Sequence, residues 1–155
     1  AIYVYYQSTR EYKARRIDIR PEVALKSRVM YLKKIQAGES VSYHRAFVAE
    51  HETQVATVAA GYSDGYPHQA VKNAEVLING ERWPTIALVT SNHTIANTTG
   101  ADGIGLADEV VLLGRQGEQH ISAEELAAWA GTSVYKILIG MNPLLPRIYK
   151  SEENK

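Results

Sequence analysis

The sequence has no cysteine in its 155 residues. Disulfides and thiolate metal sites are therefore excluded, and the composition suits a reducing cytoplasm. It has one phenylalanine beside ten tyrosines, so most of its aromatic surface carries a hydroxyl that must be hydrated or paired. It has no excess of either charge: seventeen basic and seventeen acidic residues cancel. No global field draws the chain to nucleic acid or anionic lipid. No apolar run approaches the roughly 20 residues of a membrane helix. The opening AIYVYYQST lacks the basic start and long apolar middle of a signal peptide. The five histidines (His44, His51, His68, His93 and His120) show no metal-ligand spacing, so no metal is expected. The lone Gly103-Ile104-Gly105 has no following helix to complete a dinucleotide fingerprint. Ser42 and Ser63 have no base partner that would make either a nucleophile. With 45% hydrophobic and 22% charged residues, an ordinary globular composition remains, on a chain long enough to bury a core.

Along the chain, Ala1 to Tyr6 is a short β-prone run, and Ala1 rather than Met at the start is consistent with a preceding portion. Five basic residues between Arg10 and Arg20 read as a surface connector. From Val23 the pattern has period two, which predicts a strand with Val23, Leu25, Ser27, Val29 and Tyr31 on one face. Further strands are expected at Gln54–Ala60, Ala74–Asn79, Arg82–Thr90, His93–Thr98 and Glu109–Leu113. Asn79-Gly80 is a strong hairpin signal, and Gly114 to Gly117 reads as another turn. Short strands with close turns predict a mainly β domain, a sheet closed into a Greek-key-like barrel. Two short C-terminal helices are expected to follow. One is capped by Ser122 and stopped at Gly131; the second runs from Thr132 to Ile139. Pro143 and Pro146 then force an extended exit, and 151–155 is a solvated tail.

The informative stretch is VSYHRAFVAEHETQVATVAAGYSDGY, Val41 to Tyr66. Tyr43 and Tyr62 sit among small, hydroxyl or charged neighbours rather than in an apolar run. Tyr62 opens Gly-Tyr-Ser-Asp-Gly-Tyr-Pro, in which Asp64 and Gly65 are placed to fix a sharp turn. A phenol at the end of a strand beside a turn is offered to a ligand rather than packed in a core.

A series of blocks in this order, VALKSRV, AGESVSYHRAF, ATVAAGYSDGYPH, ADEVVLLGRQGEQHISAEELAAWAGTSVYKIL and NPLLPRIY, resembles the C-terminal domain of alanine racemases. The resemblance spans residues 21–150, with 1–20 similar to the end of a preceding barrel and its connector. It implies a two-domain enzyme that uses pyridoxal 5′-phosphate. A (β/α)8 barrel, not contained in this chain, would hold that cofactor on a lysine. In such enzymes the β domain leans over the partner subunit's cofactor in a homodimer and supplies the second acid/base group, a tyrosine. Tyr43, in Ser42-Tyr43-His44-Arg45, falls on that position. Racemisation needs groups on both faces of a planar carbanion, and a lysine with a phenol can serve them. A free phenol has a pKa near 10 and needs a cation nearby to act as a base at neutral pH. Arg45, two residues along an expected strand, is the candidate within this chain. By the same resemblance Tyr62 lines the entrance for a small amino-acid substrate.

This chain departs from the family at three places. Thr90-Ser91-Asn92-His93 stands where alanine racemases usually carry Cys-Met-Asp-Gln. The Ser91 backbone N–H can still hold a substrate carboxylate, while Asn92 removes a negative charge beside the substrate, as in broad-specificity racemases. His44 replaces a glycine after the tyrosine, and Pro143 stands where some members place a tyrosine against the cofactor phosphate. No cofactor-binding residue is therefore assigned within this chain, and the fragment alone is expected to be inactive. The alternatives are a β-barrel binding module that has lost the chemistry, and an oligonucleotide-binding barrel. The second is disfavoured by the neutral charge and by the lack of aromatic residues interleaved with basic ones.

Overall fold

The computed structural model describes residues 23–71 and 73–149; the segments 1–20 and 151–155, with the connector read at Arg10 to Arg20, lie outside the described residues. The described chain is built on an antiparallel sheet that closes. Its strands are β1 (Leu25–Ile35), β2 (Ser40–Val41), β3 (Phe47–Val48), β4 (Thr53–Val58), β5 (Glu75–Ile78), β6 (Glu81–Ile86), β7 (Thr94–Asn97), β8 (Glu109–Gln116) and β9 (Gln119–Ile121). The neighbours run β1-β4-β7-β6-β5-β8-β9, and β1 also pairs with β8, which closes the ring. β2 and β3 form a separate hairpin. Helices α1 (Ala123–Trp129) and α2 (Val134–Ile139) follow β9. The mainly β, closed-barrel expectation with two short C-terminal helices holds.

β1 makes closure possible, because one long strand serves two neighbours. Its first half pairs with β8 (Ser27 opposite Val110) and its second half with β4 (Ile35 opposite Thr53). A register shift between Val29 and Tyr31 separates the halves. That bulge breaks the uniform period expected from Val23 to Tyr31. Leu25 and Val29 are buried, Tyr31 is exposed, and Ile35 is buried again beyond the bulge. An inserted residue turns every later side chain to the other face.

The Asn79-Gly80 hairpin forms as expected, with both residues at positive φ (53° and 80°). The turn expected at Gly114 to Gly117 does not start there, because β8 continues to Gln116 and pairs Gly114 with Ile121. Gly114 instead serves a close approach: a Cβ there would lie 2.7 Å from the Ala24 side chain. The strand expected at Arg82–Thr90 ends at Ile86, where Ala87 takes φ 62°.

The main core joins Val29, Val58, Val76, Val110 and Leu112 from the strands to Leu126 and Ile137 from the helices. Each such side chain stabilises the fold by about 1.5–3 kcal/mol relative to exposure. On the other face of β5 and β8, Leu77, Val111 and Ile121 form a small cluster against Trp129. A third cluster, Ile35, Ala49 and Val55 with Val41, Phe47, Ile86 and Ile95, seats the β2–β3 hairpin. Along β4, Val55 faces that hairpin while Ala56 and Val58 face the main core.

Ser122 caps α1 by accepting from Glu125 N at 3.1 Å. Gly131, at φ 61°, ends it in a Schellman arrangement: Thr132 N reaches Ala127 O at 2.9 Å and Gly131 N reaches Ala128 O at 3.2 Å. Ser133 caps α2, which therefore starts two residues later than expected.

Candidate functional site

The turn carrying Tyr62 follows β4. Asp64 makes it, its carboxylate accepting from Gly61 N at 2.9 Å while Gly65 takes φ 95° to leave the turn. The placing of Asp64 and Gly65 as turn-forming residues agrees with the geometry. Against this turn lies the connector between β6 and β7, itself a tight turn in which Thr90 N donates to His93 O at 2.9 Å. Tyr62 N donates to Thr90 O at 3.0 Å and Ser63 N to Ser91 O at 2.9 Å. The Ser63 hydroxyl also donates to Ser91 O, at 2.5 Å. The seam is so close that a Cβ on Gly61 would lie 2.5 Å from Ser91 O.

Tyr62, Ser91 and Asn92 are thus brought together, as the sequence reading grouped them. The Asn92 carboxamide accepts from Ser91 Oγ at 2.9 Å and donates to Ser63 Oγ at 3.4 Å. The Tyr62 ring is exposed and stands edge-on to His68, with centroids 5.9 Å apart. Beside it opens a cleft of about 470 Å³ whose walls include His68, Thr132 and Lys136, with Tyr66 also among its lining residues. Burial pushes the Tyr66 phenol well above its ordinary value, and its hydroxyl has no hydrogen-bond partner among the described residues.

Tyr43 is carried by a different element, the turn of the β2–β3 hairpin, with 69% of its surface exposed. The strand expected around it is not formed. Residues Tyr43–Arg45 make a 3-10 turn, and Ser42 (φ 70°), His44 (φ 56°) and Arg45 (φ 54°) all occupy the left-handed region. For residues with a Cβ this costs about 1–2 kcal/mol each, and such strain gathers at functional sites. Arg45 therefore does not share a strand face with Tyr43. Its guanidinium donates to Gly38 O at 3.4 Å and braces the base of the hairpin.

Sequence reasoning missed Ser63 and Asn142. The Asn142 carboxamide donates to Ser63 O at 2.9 Å, and its backbone N–H reaches Asp64 O at 3.3 Å. The Asn-Pro pair at Asn142-Pro143 is a turn signal that marks the position without revealing its partner. Among the described residues no three His, Asp or Glu side chains gather as a metal site. Among them too, no helix is long and apolar enough to cross a membrane.

Residues 22–149 match the family model described as alanine racemase, C-terminal domain. The chain is 38% identical over 136 residues to the alanine racemase of Symbiobacterium thermophilum, covering 88% of this chain and 36% of that protein. It is 37% identical over 135 residues to the alanine racemase of Geobacter sulfurreducens, covering 86% and 35%. Among solved structures it is similar to the alanine racemase of Bacillus anthracis with bound L-Ala-P. There the TM-score is 0.79 at 30% identity, over 89% of this chain and 35% of that one. A TM-score of 0.79 at 32% identity relates it to the enzyme of D-cycloserine-producing Streptomyces lavendulae, over 86% and 35%. The chain spans only about a third of the length of the relatives it matches.

Proposed function

Because this chain belongs to the family of alanine racemase C-terminal domains, we propose that it supplies Tyr43 as an acid/base group to an amino-acid racemase. In the same reading Tyr62, Ser91 and Asn92 form the rim of that enzyme's substrate pocket. The rest of the centre belongs to an N-terminal barrel that holds pyridoxal phosphate, and in a homodimer Tyr43 reaches the partner subunit's site. The observation that carries the reading is the presentation of Tyr43: a phenol on a strained, braced hairpin tip, exposed to solvent.

The residues present do not fit pyridoxal phosphate on their own. Lys26 and Lys34 are engaged by Glu109 at 2.9 Å and Glu52 at 3.2 Å. Lys33 lies on the exposed face of β1, and Lys136 borders an open cleft. None stands in the enclosed pocket that lowers a lysine pKa for Schiff-base chemistry. The part left to this chain is to bind, orient and exchange a proton. The Tyr43 oxygen takes a proton from the substrate α-carbon as phenolate, or returns one to it as phenol, on one face. Since Arg45 is committed to the hairpin, the cation that assists the phenol comes from the barrel domain. The Ser91 N–H receives the substrate carboxylate, and the Asn92 carboxamide, uncharged, admits side chains larger or more acidic than a methyl.

The test is Tyr43→Phe in the assembled two-domain protein. The ring and fold should remain, while exchange of the α-proton with solvent deuterium should fall by roughly 10²–10⁴ for one enantiomer only. Wild-type exchange of both enantiomers would reduce Tyr43 to a surface tyrosine.

A further inference from the structure

We propose that Asn142 is a positioning residue that sets the geometry of the substrate-pocket rim; the proposal rests on the reading that Tyr62 faces the substrate. The Tyr62 turn is held from two sides. On one side the seam with residues 90–91 is made by backbone carbonyls accepting from Tyr62 N, Ser63 N and the Ser63 hydroxyl. On the other side lies the segment leaving α2, where the Asn142 side chain and backbone each make one bond to the turn.

The Asn142 carboxamide works at both ends. Its Nδ2 donates to Ser63 O at 2.9 Å, and its Oδ1 accepts from Leu144 N at 2.9 Å. Its backbone adds a bond from N to Asp64 O at 3.3 Å and one from Leu145 N to Asn142 O at 3.2 Å. A donor and an acceptor on one short planar group are needed here, which asparagine supplies and aspartate does not. The approach is close as well: a Cβ on Gly65 would lie 2.5 Å from Gly140 O.

Ser63 is the link to function. Its carbonyl is held by Asn142, its amide and hydroxyl by Ser91 O, and its oxygen accepts from the Asn92 carboxamide. A shift of the Ser63 peptide therefore moves Tyr62, its neighbour in the chain, relative to the connector that carries Ser91 and Asn92. Among the described residues no hydrogen bond joins Asn142 to Tyr62, Ser91 or Asn92, so its influence on the rim passes through the Ser63 peptide.

The test uses Asn142→Asp in the assembled two-domain protein, because aspartate keeps the acceptor for Leu144 N and loses the donor to Ser63 O. KM for the amino acid should rise about tenfold with kcat within about twofold, the pattern of lost substrate positioning. Amide exchange at Tyr62 and Ser63 should quicken about tenfold as the seam loosens. In a Tyr62→Ala background the same substitution should leave KM within about twofold, since residues acting through one another are non-additive. A lower melting temperature with unchanged KM and amide exchange would make Asn142 structural only and overturn the proposal. So would an independent tenfold rise in KM without Tyr62. If Tyr62→Ala alone leaves KM unchanged, the functional reading of Tyr62 fails and the positioning role falls with it. If Tyr62→Ala raises KM and N142D does not, only the positioning role fails. Asn142→Ser, uncharged and too short to span both ends, is read by the same criteria should the aspartate variant fold poorly.

Discussion

Gly61→Ala tests the seam on which the candidate pocket depends. Gly61 has φ −149°, extended backbone that alanine adopts freely, so the substitution carries no torsional penalty. Its cost is contact. The new methyl would lie 2.5 Å from Ser91 O and closer still to Thr90 O. Ordinary packing begins near 3.2–3.5 Å, so the Tyr62 turn must part from residues 90–91 by roughly 1 Å. The bonds across that seam are Tyr62 N to Thr90 O at 3.0 Å, Ser63 N to Ser91 O at 2.9 Å and Ser63 Oγ to Ser91 O at 2.5 Å. At about 1 kcal/mol each, losing two or three costs about 2–3 kcal/mol, or about 4–12 °C in melting temperature for a domain of this size. A displacement of that size at a substrate-positioning residue should lower kcat/KM by about 10–10². Calorimetry and steady-state kinetics on the assembled enzyme read both quantities. Gly117→Ala is the control: φ is 58° with nothing within 4 Å, so it should cost about 1 kcal/mol with kcat/KM unchanged. A Gly61→Ala enzyme with wild-type kcat/KM and a lowered melting temperature would remove the seam from the pocket. A wild-type melting temperature would refute the close approach itself.

Two further perturbations address the frame and its pH response. Arg82 on β6 donates to Glu75 at 2.8 Å, Glu125 at 2.8 Å, Gln119 at 3.0 Å and His120 O at 2.5 Å, tying β5, β9 and α1 to the barrel. Its hydrogen bonds to the carboxylates of Glu125, then Glu75, hold its guanidinium even more firmly protonated than usual. Arg82→Met keeps the stem and leaves the two carboxylates unpaired. With side chains about a third exposed, solvent screening limits the loss to about 2–3 kcal/mol, and a denaturant midpoint at the wild-type value would contradict it. Asp108 accepts from Gly105 N at 2.8 Å and from Asn79 Nδ2 at 3.1 Å, in that order of effect, which depresses its pKa. A depressed folded pKa gives stability that is present above the ordinary carboxylate value near 4 and is lost as pH falls through the lower, folded value. Asp108→Asn should therefore be less stable than wild type at neutral pH, with the gap closing below about pH 4. A gap constant down to about pH 2 would show that Asp108 is not linked to folding.

The closed barrel was legible because its signals are local: short β-prone runs at β4, β5 and β7, the Asn79-Gly80 turn, and the Ser122 cap with its Gly131 stop. What was misread depends on partners far away in sequence. The bulge in β1 arises where the strand passes from β8 to β4, and nothing in LKSRVMYLKKI announces the exchange. Gly114 looked like a turn residue, but its smallness serves the approach of Ala24. Tyr43 was legible as an exposed phenol through the resemblance, yet its backbone was not. Ser-Tyr-His-Arg contains no glycine or asparagine to announce a left-handed turn, yet three of its four positions take positive φ in the seated hairpin. Asn142 was invisible for the same reason, since its partners Ser63 and Asp64 lie 79 and 78 residues away (142 − 63 and 142 − 64).

The two parts of the proposed site rest on different supports, and this bears on how such a domain can change its substrate. Tyr43 is presented by a hairpin seated on Ile35, Val55, Ile86 and Ile95, on the face of the sheet turned away from the main core. Tyr62, Ser91 and Asn92 are held instead by the seam after β4 and by Asn142 beyond α2. Among the described residues no hydrogen bond or ring contact joins the two groups. Side chains in the Thr90 to His93 connector can therefore be exchanged while the seam, made of backbone carbonyls, stays intact and the phenol keeps its place. In the reading proposed here, the departure at Ser91 and Asn92 alters which side chain the pocket admits, and the proton transfer assigned to Tyr43 need not change with it.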